Sequence, residues 1–244
     1  NDYRLFLSHF FAAELVLRNN GLGEHMITWQ SIDTVLLDMD GTLLDLKYDN
    51  QVWSQLLPQA YAKSRGIPLQ QAGDDLMAHM RQILGSMNFY RFDYWRDFTG
   101  LDMVHLHQQA TGLIEFLPGA QAFLEALVRA NKSTIVVTNA DRQSLQVKEP
   151  VLQLASKVDK VISSHDYGAP KEEHAFWQAL KDDIAFDPSR TLFIDDTPRV
   201  LEAAQKFGIG HLLAVAKPDS QRANRDTLGW QSFDHYDQLL ANLL

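Results

Sequence analysis

Four short apolar runs, each closed by polar residues, set the rhythm of this chain. Thr34-Val35-Leu36-Leu37 runs into Asp38-Met39-Asp40-Gly41-Thr42, and Ser133-Thr134-Ile135-Val136-Val137 runs into Thr138-Asn139. Lys160-Val161-Ile162 ends at Ser163-Ser164, and Thr191-Leu192-Phe193-Ile194 stops at Asp195-Asp196. Runs of this length, rich in β-branched residues, predict buried strands. His211 to Ala216 predicts one more. Between the strands the period changes to that of helices. Ala120 to Ala130 places Phe123, Leu124, Leu127 and Val128 on one side, and further helices are expected over Leu145 to Leu154 and Glu172 to Lys181. A last helix is marked by Thr197 as N-cap, Pro198 at the first helical position and Gly208 at the end. Such alternation predicts an α/β fold with a parallel sheet and right-handed crossovers.

From about Tyr48 to Gln109 the strand rhythm is absent and the pattern is helical, polar-faced and aromatic-rich. Arg65-Gly66-Ile67-Pro68, Leu84-Gly85-Ser86 and Thr99-Gly100-Leu101-Asp102 punctuate it, which predicts four helices. The organisation expected is therefore an α/β core over 26–46 and 113–244 with an inserted helical cap over 47–112. Residues 1–25 are expected to be an N-terminal extension or leader. Their apolar run, Leu5 to Leu17, is broken by His9 and Glu14 and is too short for a membrane span of roughly 20 residues.

Composition narrows the partners. At 244 residues, with 45% hydrophobic and 22% charged residues, the chain can bury one core and a smaller insert. A net charge of −9 argues against a nucleic-acid polymer or an anionic membrane as partner. Cysteine is absent, so disulfides, thiolate metal sites and thiol catalysis are excluded. The expected location is the cytoplasm, and the expected state is a monomer or homodimer. His105 and His107 are two apart and would face different ways on a helix, so no histidine metal spacing is formed.

Ligands of an open parallel sheet bind beyond the carboxyl ends of its strands, which is where the polar endings would converge. Asp38 and Asp40 are two apart and start on the same side of the chain. Their mutual repulsion favours a bound cation or a shared proton. Gly41 permits a sharp turn and a close backbone approach, and Thr42 adds a hydroxyl and an amide.

Asp38-x-Asp40-Gly41-Thr42, Thr138-Asn139, Lys171 and Asp195-Asp196, in this order, resemble the four motifs of the haloacid dehalogenase (HAD) superfamily, over Thr34 to about Ala216. The resemblance implies a HAD-like Rossmannoid core with a helical cap. It also implies that Asp38 is the nucleophile forming an aspartyl-phosphate, and that Asp40 protonates the leaving alcohol and then activates water. Gly41, Thr42, Thr138, Asn139 and Lys171 would hold the phosphoryl group. Asp38, Asp40 (by its backbone carbonyl), Asp195 and Asp196 would hold Mg2+, a hard cation suited to oxygen ligands. One departure is that Thr197-Pro198-Arg199-Val200 follows the last acids, where many relatives carry another Asp a turn later.

Together with Asp93-Tyr94-Trp95 and Tyr167-Gly168-x-Pro170-Lys171, these motifs are similar to the bacterial GMP/IMP nucleotidase branch. That implies a small phosphorylated metabolite as substrate, namely a purine 5′-mononucleotide. Tyr90, Asp93, Tyr94 and Trp95 are the expected specificity residues, with ring packing within the cap as the competing role. Other readings are a phosphatase for a sugar phosphate or phosphoglycolate, a mutase, a dehalogenase and a non-catalytic binding protein. The dehalogenase reading is weakened because those relatives lack an Asp where Asp40 stands and need no metal.

Overall fold

The computed structural model describes residues 27–240 and 243. The expectation for residues 1–25 lies outside the described residues. β1 (Thr34–Leu37) occupies the middle of a six-stranded parallel sheet. It pairs with β2 (Ser133–Thr138) on one side and β4 (Thr191–Asp195) on the other, in the register Thr34 to Ser133 and Thr34 to Thr191. β3 (Lys160–Ser163) extends the sheet beyond β2, and β5 (His211–Val215) and β6 (Ser232–Phe233) extend it beyond β4. The order is thus β3-β2-β1-β4-β5-β6. Aligned register makes the strands end at one level, so their last residues share an edge.

Strand alternation divides the core between two layers. Val35, Leu37, Val136 and Ile194 face α6 (Ala120–Arg129), which contributes Phe123, Leu124 and Leu127. Leu36, Ile135, Val137 and Phe193 face the opposite layer. There α8 (His174–Ile184) supplies Phe176, Trp177 and Leu180, and α9 (Pro198–Phe207) supplies Val200, Leu201 and Ala204. α7 (Arg142–Leu152) follows β2 and is capped by Asp141, whose Oδ1 accepts the Ser144 N–H at 2.8 Å. A short α10 (Asp237–Leu240) closes the chain, near Tyr236, whose hydroxyl donates to the Thr42 carbonyl at 2.7 Å.

The insert between β1 and α6 is helical. α1 (Lys47–Gln51), a π turn (Val52–Leu56) and α2 (Leu57–Arg65) form one continuous rod. Pro58 lacks an N–H and its ring would strike the Ser54 carbonyl in a regular helix, so a widened turn just ahead of it is where the strain is relieved. α3 (Leu69–Ile83), α4 (Phe92–Thr99) and α5 (Met103–Gln108) complete the insert. The two linkers to it run antiparallel side by side, with Leu117 N–H to the Leu43 carbonyl at 2.8 Å and Asp45 N–H to the Glu115 carbonyl at 3.0 Å. Such pairing holds the insert directly over the end of β1. Among the described residues, no helix is long and apolar enough to cross a membrane.

The start of β5 leans on the turn before β4. Gly210 donates to the Pro188 carbonyl at 2.8 Å, and a Cβ on Gly210 would lie 2.5 Å from the Ser189 carbonyl oxygen. A backbone oxygen cannot swing aside as a side chain can. Gly210→Ala is therefore expected to lower unfolding stability by about 1–3 kcal/mol, measured by urea denaturation; an unchanged midpoint would show that the turn yields freely.

Candidate active site

The level ends of β1, β2 and β4 deliver Asp38, Thr138 and Asn139, and Asp195 and Asp196 to one edge. Above them the insert encloses a cleft of ≈ 180 Å³. Asp38, Asp40, Thr138, Asn139, Lys171 and Asp196 line its floor. Asp195 lies just beneath, tied to the same lysine.

Lys171 organises the floor. Its ammonium donates to Asp38 Oδ1 at 2.5 Å and to Asp195 Oδ2 at 2.7 Å, all three groups being buried. The Lys171 N–H donates to Asn139 Oδ1 at 2.9 Å, and the Trp177 indole donates to the Lys171 carbonyl at 2.7 Å. The lysine backbone is thus fixed from both faces. Burial opposes the Lys171 charge, but Asp195 and Asp38 outweigh it and its pKa is raised. Asn139 Nδ2 in turn donates to Glu172 Oε2 at 2.9 Å, and the Thr138 hydroxyl accepts the Ala140 N–H at 3.0 Å.

Asp38, Asp195 and Asp196 each offer a carboxylate oxygen, and these atoms lie within 4.8 Å of one another. Burial first, opposed by Lys171 and reinforced by the neighbouring acids, pushes the Asp38 carboxyl well up and that of Asp195 to about 6. Asp196 is raised mainly by burial, against the pull of Arg225, whose Nη1 donates to its Oδ2 at 3.0 Å. Three hard oxygen donors that disfavour one another's charge suit a divalent cation. Gly41 serves this cluster. At φ +86° it sits so near that a Cβ would lie 2.6 Å from Asp196 Oδ2.

Asp40 belongs to a separate group. Its Oδ1 accepts from Lys148 Nζ at 2.6 Å, and the same ammonium reaches both carboxylate oxygens of Asp49 at 3.2 and 3.4 Å. Two nearby acids therefore occupy different electrostatic settings, one on each lysine.

Several expected residues stand elsewhere. Gly41 and Thr42 do not line the cleft: their N–H groups are engaged by the Leu44 and Met39 carbonyls within the turn, and the Thr42 side chain is fully buried. Of the four expected specificity residues, Tyr90 alone lines the cleft, donating its hydroxyl to Glu172 Oε1 at 3.0 Å. Asp93 is held by Arg91, Tyr94 stacks on His79, and Trp95 is buried within the insert with its indole N–H on the Phe89 carbonyl. The cause is the helical period of α4, which turns Phe92, Trp95 and Thr99 inward and Asp93 and Tyr94 away. Trp53, Phe89, Phe92 and His107 supply the aromatic wall instead. Lys148, Asp49 and Arg225 were not expected. A lysine among Ser144, Leu145 and Leu152 on the buried face of α7 is a readable signal for the first, since lysine is almost never buried unpaired.

The model of haloacid dehalogenase-like hydrolases matches residues 32–208. The chain belongs to that family. This HAD hydrolase is 36% identical over 218 residues to the GMP/IMP nucleotidase YrfG of Escherichia coli (strain K12), an alignment covering 89% of the chain and 98% of that protein. Among solved structures, the HAD fold is shared with a HAD phosphatase from Thermococcus onnurineus (TM-score 0.69, 18% identity, 87% of this chain and 98% of that one). It is shared also with the L-2-haloacid dehalogenase of Xanthobacter autotrophicus (TM-score 0.54, 21% identity, 78% and 80%).

The raised carboxyls make cation binding compete with protons. A divalent cation is therefore expected to raise Tm more at pH 7.5 than at pH 5, which lies below the value of about 6 to which Asp195 is raised and where the cation must displace its proton. Gly41→Ala, by displacing Asp196, is expected to remove most of the rise at either pH. Differential scanning fluorimetry with and without the cation checks both; equal rises at the two pH values would show that these acids do not bind it.

Proposed function

We propose that this HAD hydrolase is a Mg2+-dependent phosphomonoesterase acting on purine nucleoside 5′-monophosphates, GMP and IMP, through an aspartyl-phosphate on Asp38. The observation that carries the reading is the separation of the two carboxylates. Asp38 lies between Lys171 and the acidic cluster, and Asp40 stands on Lys148 at the same cleft. Asp38 is placed to attack phosphorus once a cation and Lys171 hold it ionised, and the Asp40 side chain, on its own lysine, is available for proton transfer.

The Asp38 carboxylate oxygen attacks phosphorus and the bond from phosphorus to the ester oxygen breaks. Asp40, protonated at this stage, gives its proton to that oxygen and the alcohol leaves. Water then attacks the phosphorus of the Asp38 adduct, losing a proton to Asp40. The bond to Asp38 breaks, and phosphate departs with Asp38 and Asp40 restored. Lys171 neutralises charge on the nucleophile and the phosphoryl oxygens, while Thr138 and Asn139 donate to those oxygens. The Asp38 and Asp196 carboxylates, the Asp40 backbone carbonyl and, through water, Asp195 would hold Mg2+. When bound, the ion supplies charge neutralisation and alignment of the phosphoryl group.

The likeness to the GMP/IMP nucleotidase supports the nucleotide assignment, and the aromatic wall supplies the means. Trp53, Phe89 and Phe92 offer faces for a base, where stacking is worth about 1–3 kcal/mol. The cleft of ≈ 180 Å³ between the sheet edge and the insert is where the nucleotide would lie.

Phosphate release from GMP, IMP, AMP, CMP, sugar phosphates and phosphoglycolate, with Mg2+ and with EDTA, tests the reading. GMP and IMP are expected to give the highest kcat/KM, EDTA to abolish turnover, and Asp38→Asn to lower kcat by 10⁴-fold or more, on the order of losing the covalent route. Preference for a sugar phosphate, or activity in EDTA, would overturn it.

A further inference from the structure

Lys148 is a cation no motif accounts for. It projects from the second turn of α7, an element whose other buried residues are apolar or small, and is 1% exposed. Its stem passes the Tyr48 ring, with Nζ 5.2 Å from the ring centre. Nζ then donates to Asp40 Oδ1 and to both oxygens of Asp49.

The second acid is itself fixed. Asp49 sits in α1, whose start is tied to the core by the Leu46 N–H on the Pro218 carbonyl at 2.9 Å. The adjacent Asn50 donates from Nδ2 to Asp219 Oδ2 at 2.6 Å. Asp49 therefore anchors the ammonium, and the ammonium anchors Asp40. One oxygen of Asp40 is held, which leaves the other to meet the substrate.

We propose that Lys148, clamped by Asp49, is the positioning residue of Asp40, aiming its free oxygen at the ester oxygen in the first step and at water in the second. The inference rests on the acid/base role given to Asp40 above. It makes Lys148 a determinant of proton transfer and leaves phosphoryl binding to Lys171. A 1 Å misplacement of a reacting group costs on the order of a hundredfold in rate.

Leaving-group chemistry separates this role from a merely structural one. A nucleoside alkoxide needs a proton to depart, whereas p-nitrophenolate departs without one. Lys148→Met keeps the stem and removes the charge; Lys148→Met with Asp49→Asn also removes one of the two acids left facing each other, which protects folding. In both, kcat for the best nucleotide is expected to fall roughly a hundredfold with KM changed less than threefold. p-Nitrophenyl phosphate should still give a burst of one p-nitrophenolate per enzyme, followed by slow turnover as the adduct awaits its base.

Asp40→Asn is the reference. If it shows the burst and the nucleotide loss while both Lys148 variants turn over normally, or lose the burst through a raised KM, the positioning role is overturned and the acid/base reading stands. If Asp40→Asn shows no difference between the two substrates, the acid/base reading itself fails. Lys148→Arg is expected to recover at least a tenth of wild-type kcat.

Discussion

The constraint on which everything else depends is the crowding of like charge at one edge of a parallel sheet. Because β1, β2 and β4 run in the same direction and end at the same level, whatever side chains close them must meet. Here they are mostly acids. Asp38, Asp40, Asp49, Asp195 and Asp196 share their surroundings with Lys148, Lys171 and Arg225, so carboxylates outnumber cations and a phosphate dianion would add to the excess. An uncompensated buried carboxylate is costly enough to take up a proton, which is what the raised pKa values of Asp38 and Asp195 express. A divalent cation would resolve the crowding without protonation.

That pressure explains features distant from the chemistry. Lys171 is held through its own backbone by Asn139 and Trp177, because an ammonium shared between two buried acids is useful only if it cannot retreat. Trp177 is part of the α8 layer packed on the sheet, so the hydrophobic core acts directly as the mount for the lysine. Gly41 answers the same need, since no side chain fits between that turn and Asp196. At that position it lets the acid approach, while its own N–H is engaged by the Leu44 carbonyl.

The chain made its strands legible because buried parallel strands are short apolar runs with abrupt polar ends, and the same ends meet at the cleft. Asp38, Asp40, Thr138, Asn139, Lys171, Asp195 and Asp196 were readable for that reason. β6, two residues long, has no such pattern and passed unread. Arg225 lies in a polar stretch without periodicity, and its place is set by the path of the loop after β5. The aromatic segment around α4 misled through composition: rings concentrated there could serve a ligand or a core, and only the helical phase decides between them. Trp53, in the π turn of the rod, and His107, on α5 and bonded through Nδ1 to the Tyr48 hydroxyl at 2.9 Å, reach the cleft from outside that segment.

Fold alone does not choose between breaking a phosphate ester and displacing a halide, since HAD phosphatases and dehalogenases share this architecture with the chain. The distinction lies in the leaving group. Halide departs as a stable anion, whereas an alkoxide of a sugar hydroxyl must be protonated as it leaves. Only in the latter case does the leaving group itself call for a proton donor beside the nucleophile. Asp40 occupies that position, and a buried lysine, a second, half-buried acid and a tethered helix start hold it. Burying and pairing charge in this way brings little stability in itself. In the proposed mechanism its gain is a fixed orientation for proton transfer, which is the requirement that ester hydrolysis adds to the nucleophilic step.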